Sequence, residues 1–102
     1  MTDTRNGAER IADERLRQIM AEGYTAEHDD GHIHGELAAA AACYAAPGSI
    51  YDVYREPLWP WPEEHDKRPD HAFTDDDRIR LLEKAGALIA AEIDRLLRKQ
   101  GT

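Results

Sequence analysis

From Thr74 to Arg98 the chain reads as one unbroken helix. Thr74 stands as the N-cap with Asp77 in the capping-box position, and Asp75, Asp76 and Asp77 place three carboxylates on the positive end of the helix dipole. Behind them Ile79, Leu82, Ala85, Gly86, Ile89, Ile93 and Leu96 form an apolar stripe, with Leu81, Leu88 and Leu97 at its margins. Roughly 24 residues at 1.5 Å each make about 36 Å of helix. In a chain of 102 residues everything else has to pack along such a rod. Part of its length is expected to meet another subunit, so a homo-oligomer is expected.

The remaining elements are shorter. Residues 1–7 are polar and expected to fray. From Ala8 to Glu22, Ile11, Ala12, Leu16, Ile19 and Met20 recur at helical spacing, and Gly23 sits where a left-handed cap residue belongs. Thr25 to Gly31 reads as an acidic connection with Asp29 or Asp30 capping a second helix, which runs from Gly31 or His32 to Ala46 on the alanine run 38–42 and stops at Pro47-Gly48. Alanine on nearly every side lets neighbours approach, so this helix is expected at the centre. Residues 49–73 hold four of the five prolines. Pro57-Leu-Trp-Pro-Trp-Pro62 reads as a stiff extended segment, because proline fixes its own φ and biases the residue before it away from helix. The expected fold is all-α: one domain over residues 1–102, a small bundle of three main helices, with residues 47–73 as a long ordered Pro/Trp-rich connection before the last.

Acidic residues outnumber basic ones 21 to 13, for a formal charge of −8. Long-range attraction to duplex nucleic acid or an anionic membrane is thereby disfavoured. No segment approaches the ~20 apolar residues of a membrane span, and the first residues lack a signal peptide's apolar run. Cys43, the one cysteine, lies among Ala41, Ala42 and Tyr44 and reads as a buried thiol of a reducing compartment. A cytoplasmic protein is expected, in the host cell cytoplasm if phage-encoded.

The densest set of chemistry-bearing side chains is His28-Asp29-Asp30-Gly31-His32-Ile33-His34-Gly35-Glu36. Imidazole nitrogen and carboxylate oxygen are ligands for divalent metals and act as general acids or bases near neutral pH. On a helix beginning near Asp30, His32 and Glu36 stand at i and i+4, with Asp29 at the same edge, while His28 and His34 project elsewhere. His32, Glu36 and Asp29 are therefore candidate ligands for Mg²⁺ or Mn²⁺, and Glu36 and His32 candidate catalytic groups. The plain alternatives are a solvated acidic helix start and a structural His/Asp network. Lys84 lies beside the small pair Ala85 and Gly86, where a backbone or ligand can come close; it is a candidate phosphate contact, with a snorkelling or ion-paired lysine as the alternative. Trp59 and Trp61 either clamp the long connection onto the helices or line a slot for a base. His65 and His71 read as exposed loop residues.

Three strings carry a resemblance: Arg15-x-Arg17-Gln18 running into Glu22-Gly-Tyr-Thr-x-Glu-His-Asp-Asp30 and His32; Gly35-Glu-Leu-Ala with Ala-x-Cys-Tyr-Ala45; and Lys84-Ala-Gly-Ala-Leu-Ile with Ala-Glu-Ile-Asp-Arg95. With Trp59-Pro-Trp61 they resemble a family of short proteins encoded by tailed phages and prophages, over most of residues 10–98. The segment Glu63-Glu-His-Asp-Lys-Arg-Pro69 departs from the further tryptophan and Lys-Pro pair of that family. More distantly, the helix order is similar to MazG-type all-α nucleoside triphosphate pyrophosphohydrolases, which hold magnesium on paired carboxylates. Glu36, with His32 and Asp29, stands in for one pair; where the second would fall the chain has Glu83-Lys-Ala-Gly86.

Three function classes stay open at this point. In the first, a nucleotide-like phosphate ligand is hydrolysed at its phosphoanhydride by a metal on Glu36, His32 and Asp29. In the second, the nucleotide, a signal of host defence, is sequestered without cleavage by Lys84, Arg15 or Arg17, Trp59 and Trp61. In the third, the long helix and the proline-rich loop grip a host or phage protein.

Overall fold

The computed structural model describes residues 2–46, 59–65 and 74–101. Among them every regular element is helical: α1 (Gly7–Ala21), a short α2 (Ala26–Asp30), α3 (Glu36–Ala45), a 3₁₀ turn at Glu63–His65, and α4 (Asp75–Lys99). The all-α architecture expected from the sequence is the one observed. Residues 47–58, including the first two residues of the expected stiff segment, and residues 66–73, including His71, lie outside the described residues.

Local chemistry sets the ends. Thr74 caps α4 as expected: its hydroxyl accepts from the Asp77 N–H at 3.1 Å and its own N–H donates to the Asp77 carboxylate at 3.2 Å. The same device opens α1, where Asn6 accepts from the Glu9 N–H at 2.9 Å and donates its N–H to the Glu9 carboxylate at 3.0 Å. The expected fraying therefore stops short of Asn6. Gly23, at φ +74°, takes the left-handed turn that ends α1, and the Tyr24 N–H closes back on the Gln18 carbonyl at 3.0 Å.

The second helix differs from expectation. Thr25, not Asp29 or Asp30, acts as a cap, its hydroxyl accepting from the His28 N–H at 3.3 Å. A separate turn of helix forms over Ala26–Asp30, and α3 starts only at Glu36, after Gly35 at φ +81°. A conformation that L side chains rarely adopt interrupts what the sequence suggested was one helix.

Both α1 and α3 pack along α4, and α2 touches it. The core joins Leu37, Ala40, Ala41 and Tyr44 of α3 to Leu81, Ala85, Leu88 and Ala91 of α4, with Tyr24, Ala45, Trp59 and Trp61 packed against it. Arg78 anchors the end of α3, donating to the carbonyls of Tyr44, Ala45 and Ala46. Here the face of α4 is corrected. Leu81 and Leu88, expected at the margins, are buried, whereas Ile79, Leu82, Ile89, Ile93 and Leu96 are all at least 38% exposed. Small residues decide this: Ala85 and Ala91 let the alanine face of α3 approach closely. Gly86 does the same for α1, since a Cβ built there would lie 2.5 Å from the Ile11 side chain. No helix among the described residues is long and apolar enough to cross a membrane.

Candidate functional site

Because α2 is a separate turn, His28 and His32 stand i, i+4 and meet. A chain of contacts runs from α1 to the start of α3. Arg15 Nη2 donates to Asp29 Oδ2 at 3.0 Å, and Asp29 Oδ1 lies 2.9 Å from His28 Nδ1. His28 Nε2 lies 3.3 Å from His32 Nε2, and His32 Nδ1 lies 3.1 Å from Glu36 Oε2. Glu36 Oε1 accepts the His34 N–H at 2.6 Å. Asp29 is fully buried and its carboxylate is matched by Arg15, which is what a buried charge requires. Burial alone would raise the Glu36 carboxyl, but hydrogen bonds from His32 and from the backbone N–H groups of Glu36 and His34 hold it below the ordinary glutamate value.

The rings are held on both sides. Tyr24 stacks on His28 with centroids 4.6 Å apart and planes 4° from parallel. Trp61 meets His32 edge-on at 5.5 Å and leans against Tyr24 at 6.4 Å. His32 and Glu36 thus approach each other as expected, while Asp29 does not join them: it faces Arg15 and His28 because α2 turns it into the interior. His28, expected to project elsewhere, is central to the chain. Among the described residues no three His, Cys, Asp or Glu side chains are grouped so as to hold a metal.

On the other side of Tyr24 and Trp61 lies a recess of about 80 Å³, lined by Arg17, Gln18, Glu22, Tyr24, Tyr44, Trp61, His65, Lys84 and Leu88. It collects three of the four residues expected to bind a phosphate ligand: Lys84, Trp61 and Arg17. The fourth, Trp59, stands behind the wall, edge-on to Tyr44 and Trp61, and donates its Nε1–H to the Pro62 carbonyl at 3.3 Å. Arg17 is neutralised by Glu14 and Glu22. Lys84 is not. Its ammonium lies 5.8 Å from the Tyr44 ring centroid, and no carboxylate stands within ion-pair distance of it among the described residues. Burial, reinforced by the Arg80 charge, pushes its value below that of an ordinary lysine. Among the described residues Trp61 Nε1 and Gln18 Oε1, buried atoms of two residues that line the recess, have no hydrogen-bond partner.

Nearby, a second depression is lined by Arg5, Arg10, Asp13, Glu14, Arg17, Arg80 and Glu83. Its guanidinium groups are matched: Arg5 by Asp3 and Asp13, Arg10 by Asp3 and Glu83, Arg80 by Glu14 and Glu83. The recess beside Lys84 differs from it in holding a cation with no carboxylate within ion-pair distance among the described residues.

Sequence reasoning gave no site role to Tyr24, Tyr44 and Gln18, although all three stand in the strings that carry the resemblance. It also missed His28, for which the His-x-x-x-His spacing of residues 28 and 32 was an available signal. Comparison with known proteins gives no match to a family model, to a curated protein or to a solved structure.

Proposed function

We propose that the Lys84 recess binds a small phosphate-bearing ligand of the nucleotide class and holds it without cleaving it. The observation that carries this is Lys84: a half-buried ammonium with no acid within ion-pair distance among the described residues, on a wall of Tyr24, Tyr44 and Trp61. A cation over an aromatic face is favourable by about 0.5–2 kcal/mol, which offsets only part of the cost of burying an unpaired charge. A phosphate would supply the missing counter-charge to Lys84. At about 80 Å³ the recess takes one phosphoryl group, so the rest of the ligand would lie along the mouth, beside His65 and Arg17. The likeness to all-α nucleotide pyrophosphohydrolases supports the choice of ligand class.

Hydrolysis through Glu36 and His32, with magnesium or manganese held by His32, Glu36 and Asp29, is the weaker reading. Magnesium takes oxygen ligands, and Asp29 has both its oxygens engaged by Arg15 and His28. A thermal-shift series with inorganic phosphate and with linear and cyclic nucleotides, in chelator-treated buffer, tests the proposal. A nucleotide is expected to raise the melting temperature without metal and without turnover. No shift with any of them, or the same shift in Lys84→Met, would overturn it.

A second reading, association through α4, rests on the exposed Leu82, Ile89, Ile93 and Leu96. With Ile79 they recur at steps of three, seven, four and three residues, compatible with one apolar seam along the helix. A stripe of this kind is self-complementary, so the occupant it suits is a second copy of this chain.

A further inference from the structure

The contact between His28 and His32 has unusual proton bookkeeping. Asp29, buried and ion-paired with Arg15, stands as a hydrogen-bond acceptor. His28 Nδ1, 2.9 Å from it, therefore carries a hydrogen. The same holds for His32 Nδ1, 3.1 Å from Glu36, whose other oxygen is already an acceptor for the His34 N–H. A neutral imidazole with a hydrogen on Nδ1 has a bare lone pair on Nε2. Two such lone pairs, on nitrogens 3.3 Å apart, cannot hydrogen-bond to each other. They can share a cation.

The geometry points to a two-imidazole site for a borderline transition-metal ion, Zn²⁺ or Cu²⁺, on the Nε2 atoms of His28 and His32. An ion at the usual zinc–imidazole distance of about 2.0–2.1 Å from each nitrogen sees the pair, 3.3 Å apart, at about 107°, close to the tetrahedral angle. Each ring donates its other N–H to a carboxylate, Asp29 for His28 and Glu36 for His32. That is the supporting arrangement by which proteins fix the tautomer and orientation of metal-binding histidines. Tyr24 and Trp61 hold the two rings in place. The side chains remain 31% and 23% exposed, so an ion can enter and water can complete its coordination. The site differs from the magnesium triad expected from sequence in ligands and in metal class: nitrogen donors from residues 28 and 32, with the acids in the outer shell. It does not depend on the occupancy of the Lys84 recess.

The test is a calorimetric titration of the full chain with Zn²⁺, Cu²⁺ and Mg²⁺, with tryptophan fluorescence followed alongside because Trp61 touches His32. Saturable one-to-one binding in the order Cu²⁺ above Zn²⁺, with Mg²⁺ far weaker, is expected, as is quenching by Cu²⁺. His28→Gln or His32→Gln should each weaken Zn²⁺ at least tenfold, Glu36→Gln about tenfold, and His34→Gln not at all. Nitrogen-resolved NMR of the unmodified protein supplies a check that needs no variant. Without metal, both rings should carry the hydrogen on Nδ1, and Zn²⁺ should move the two Nε2 signals. An Nε2–H tautomer at either ring, one shared proton that Zn²⁺ does not displace, binding centred on His34, His65 or His71, or no saturable binding would each overturn the proposal.

Discussion

Arg80 of α4 reaches Glu14 of α1 at 2.7 Å, and the Glu14 side chain is only 2% exposed. Arg17 holds the same carboxylate from within α1, at 2.7 and 2.9 Å, and Gln18 completes its shell at 3.3 Å. Glu14→Ala is expected to cost about 2 kcal/mol, because it removes the buried carboxylate shared by Arg17 and Arg80, which keep Glu22 and Glu83 as partners, and leaves a gap at the helix interface. Arg80→Ala should cost only about 1 kcal/mol, since Arg17 still neutralises the acid. Urea unfolding of the two variants and of their combination checks the ordering.

The same carboxylate sets an acid limit. Burial alone would raise the Glu14 value, but hydrogen bonds from Arg17 and Arg80 outweigh it and hold it below that of an ordinary glutamate. A folded-state value below the unfolded one gives stabilisation that is complete above about pH 4.3 and lost as pH falls through the folded value. The stability gap between the native chain and Glu14→Gln should therefore narrow as pH is lowered from about 6 to about 3, read from melting temperatures of both.

At Gly86 the helix interior carries a residue that costs about 1 kcal/mol in propensity relative to alanine. Gly86→Ala should nevertheless destabilise by about 1 kcal/mol net, because the new Cβ would lie 2.5 Å from Ile11 Cδ1 and 2.7 Å from Cγ1. Ile11→Ala in the Gly86→Ala background should recover stability relative to the sum of the single effects. A double-mutant cycle with a coupling of at least about 0.5 kcal/mol checks it.

Lys84 should behave oppositely to a structural lysine. Its folded value is depressed by burial, so its charge opposes folding, and that cost fades as pH rises through the folded value towards the ordinary lysine range. Lys84→Met is expected to leave the ligand-free protein more stable, by up to about 1 kcal/mol. Chemical denaturation at neutral pH measures this. A loss of stability would instead mark Lys84 as part of the packing.

The exposed stripe of α4 gives a hydrodynamic prediction. The native chain should sediment as a dimer at micromolar concentration. An Ile89→Lys/Ile93→Lys variant should sediment as a monomer with unchanged helical circular dichroism, since both side chains are about half exposed.

What the sequence made legible follows a physical division. The Thr74 cap, the left-handed Gly23 and the central alanine helix are local effects, readable from side chains a few residues apart. The buried face of α4 was not. Two adjacent faces of that helix satisfy the apolar period, and the choice belongs to the alanines of α3, distant in sequence. Buried Arg95, paired with Glu92, further disguised the inner face. The histidine pair was hidden because the second helix was expected to begin near Asp30, which leaves His28 outside it; the turn of helix over Ala26–Asp30, capped by Thr25, is what sets His28 one turn from His32. Lys84, Arg17 and Trp61 were singled out one by one, but that they border one recess was not legible, because α1, α3, α4 and the tryptophan segment each contribute one or two residues to it.

Tyr24 and Trp61 form a partition, with the imidazole pair on one side and the Lys84 recess on the other. A partition shared by two compartments makes them thermodynamic neighbours. Whatever shifts either ring from one side changes the shape presented on the other, and linkage requires the influence to be equal in both directions. Two rings with no chemistry of their own would then decide whether occupants of the two compartments assist or exclude each other.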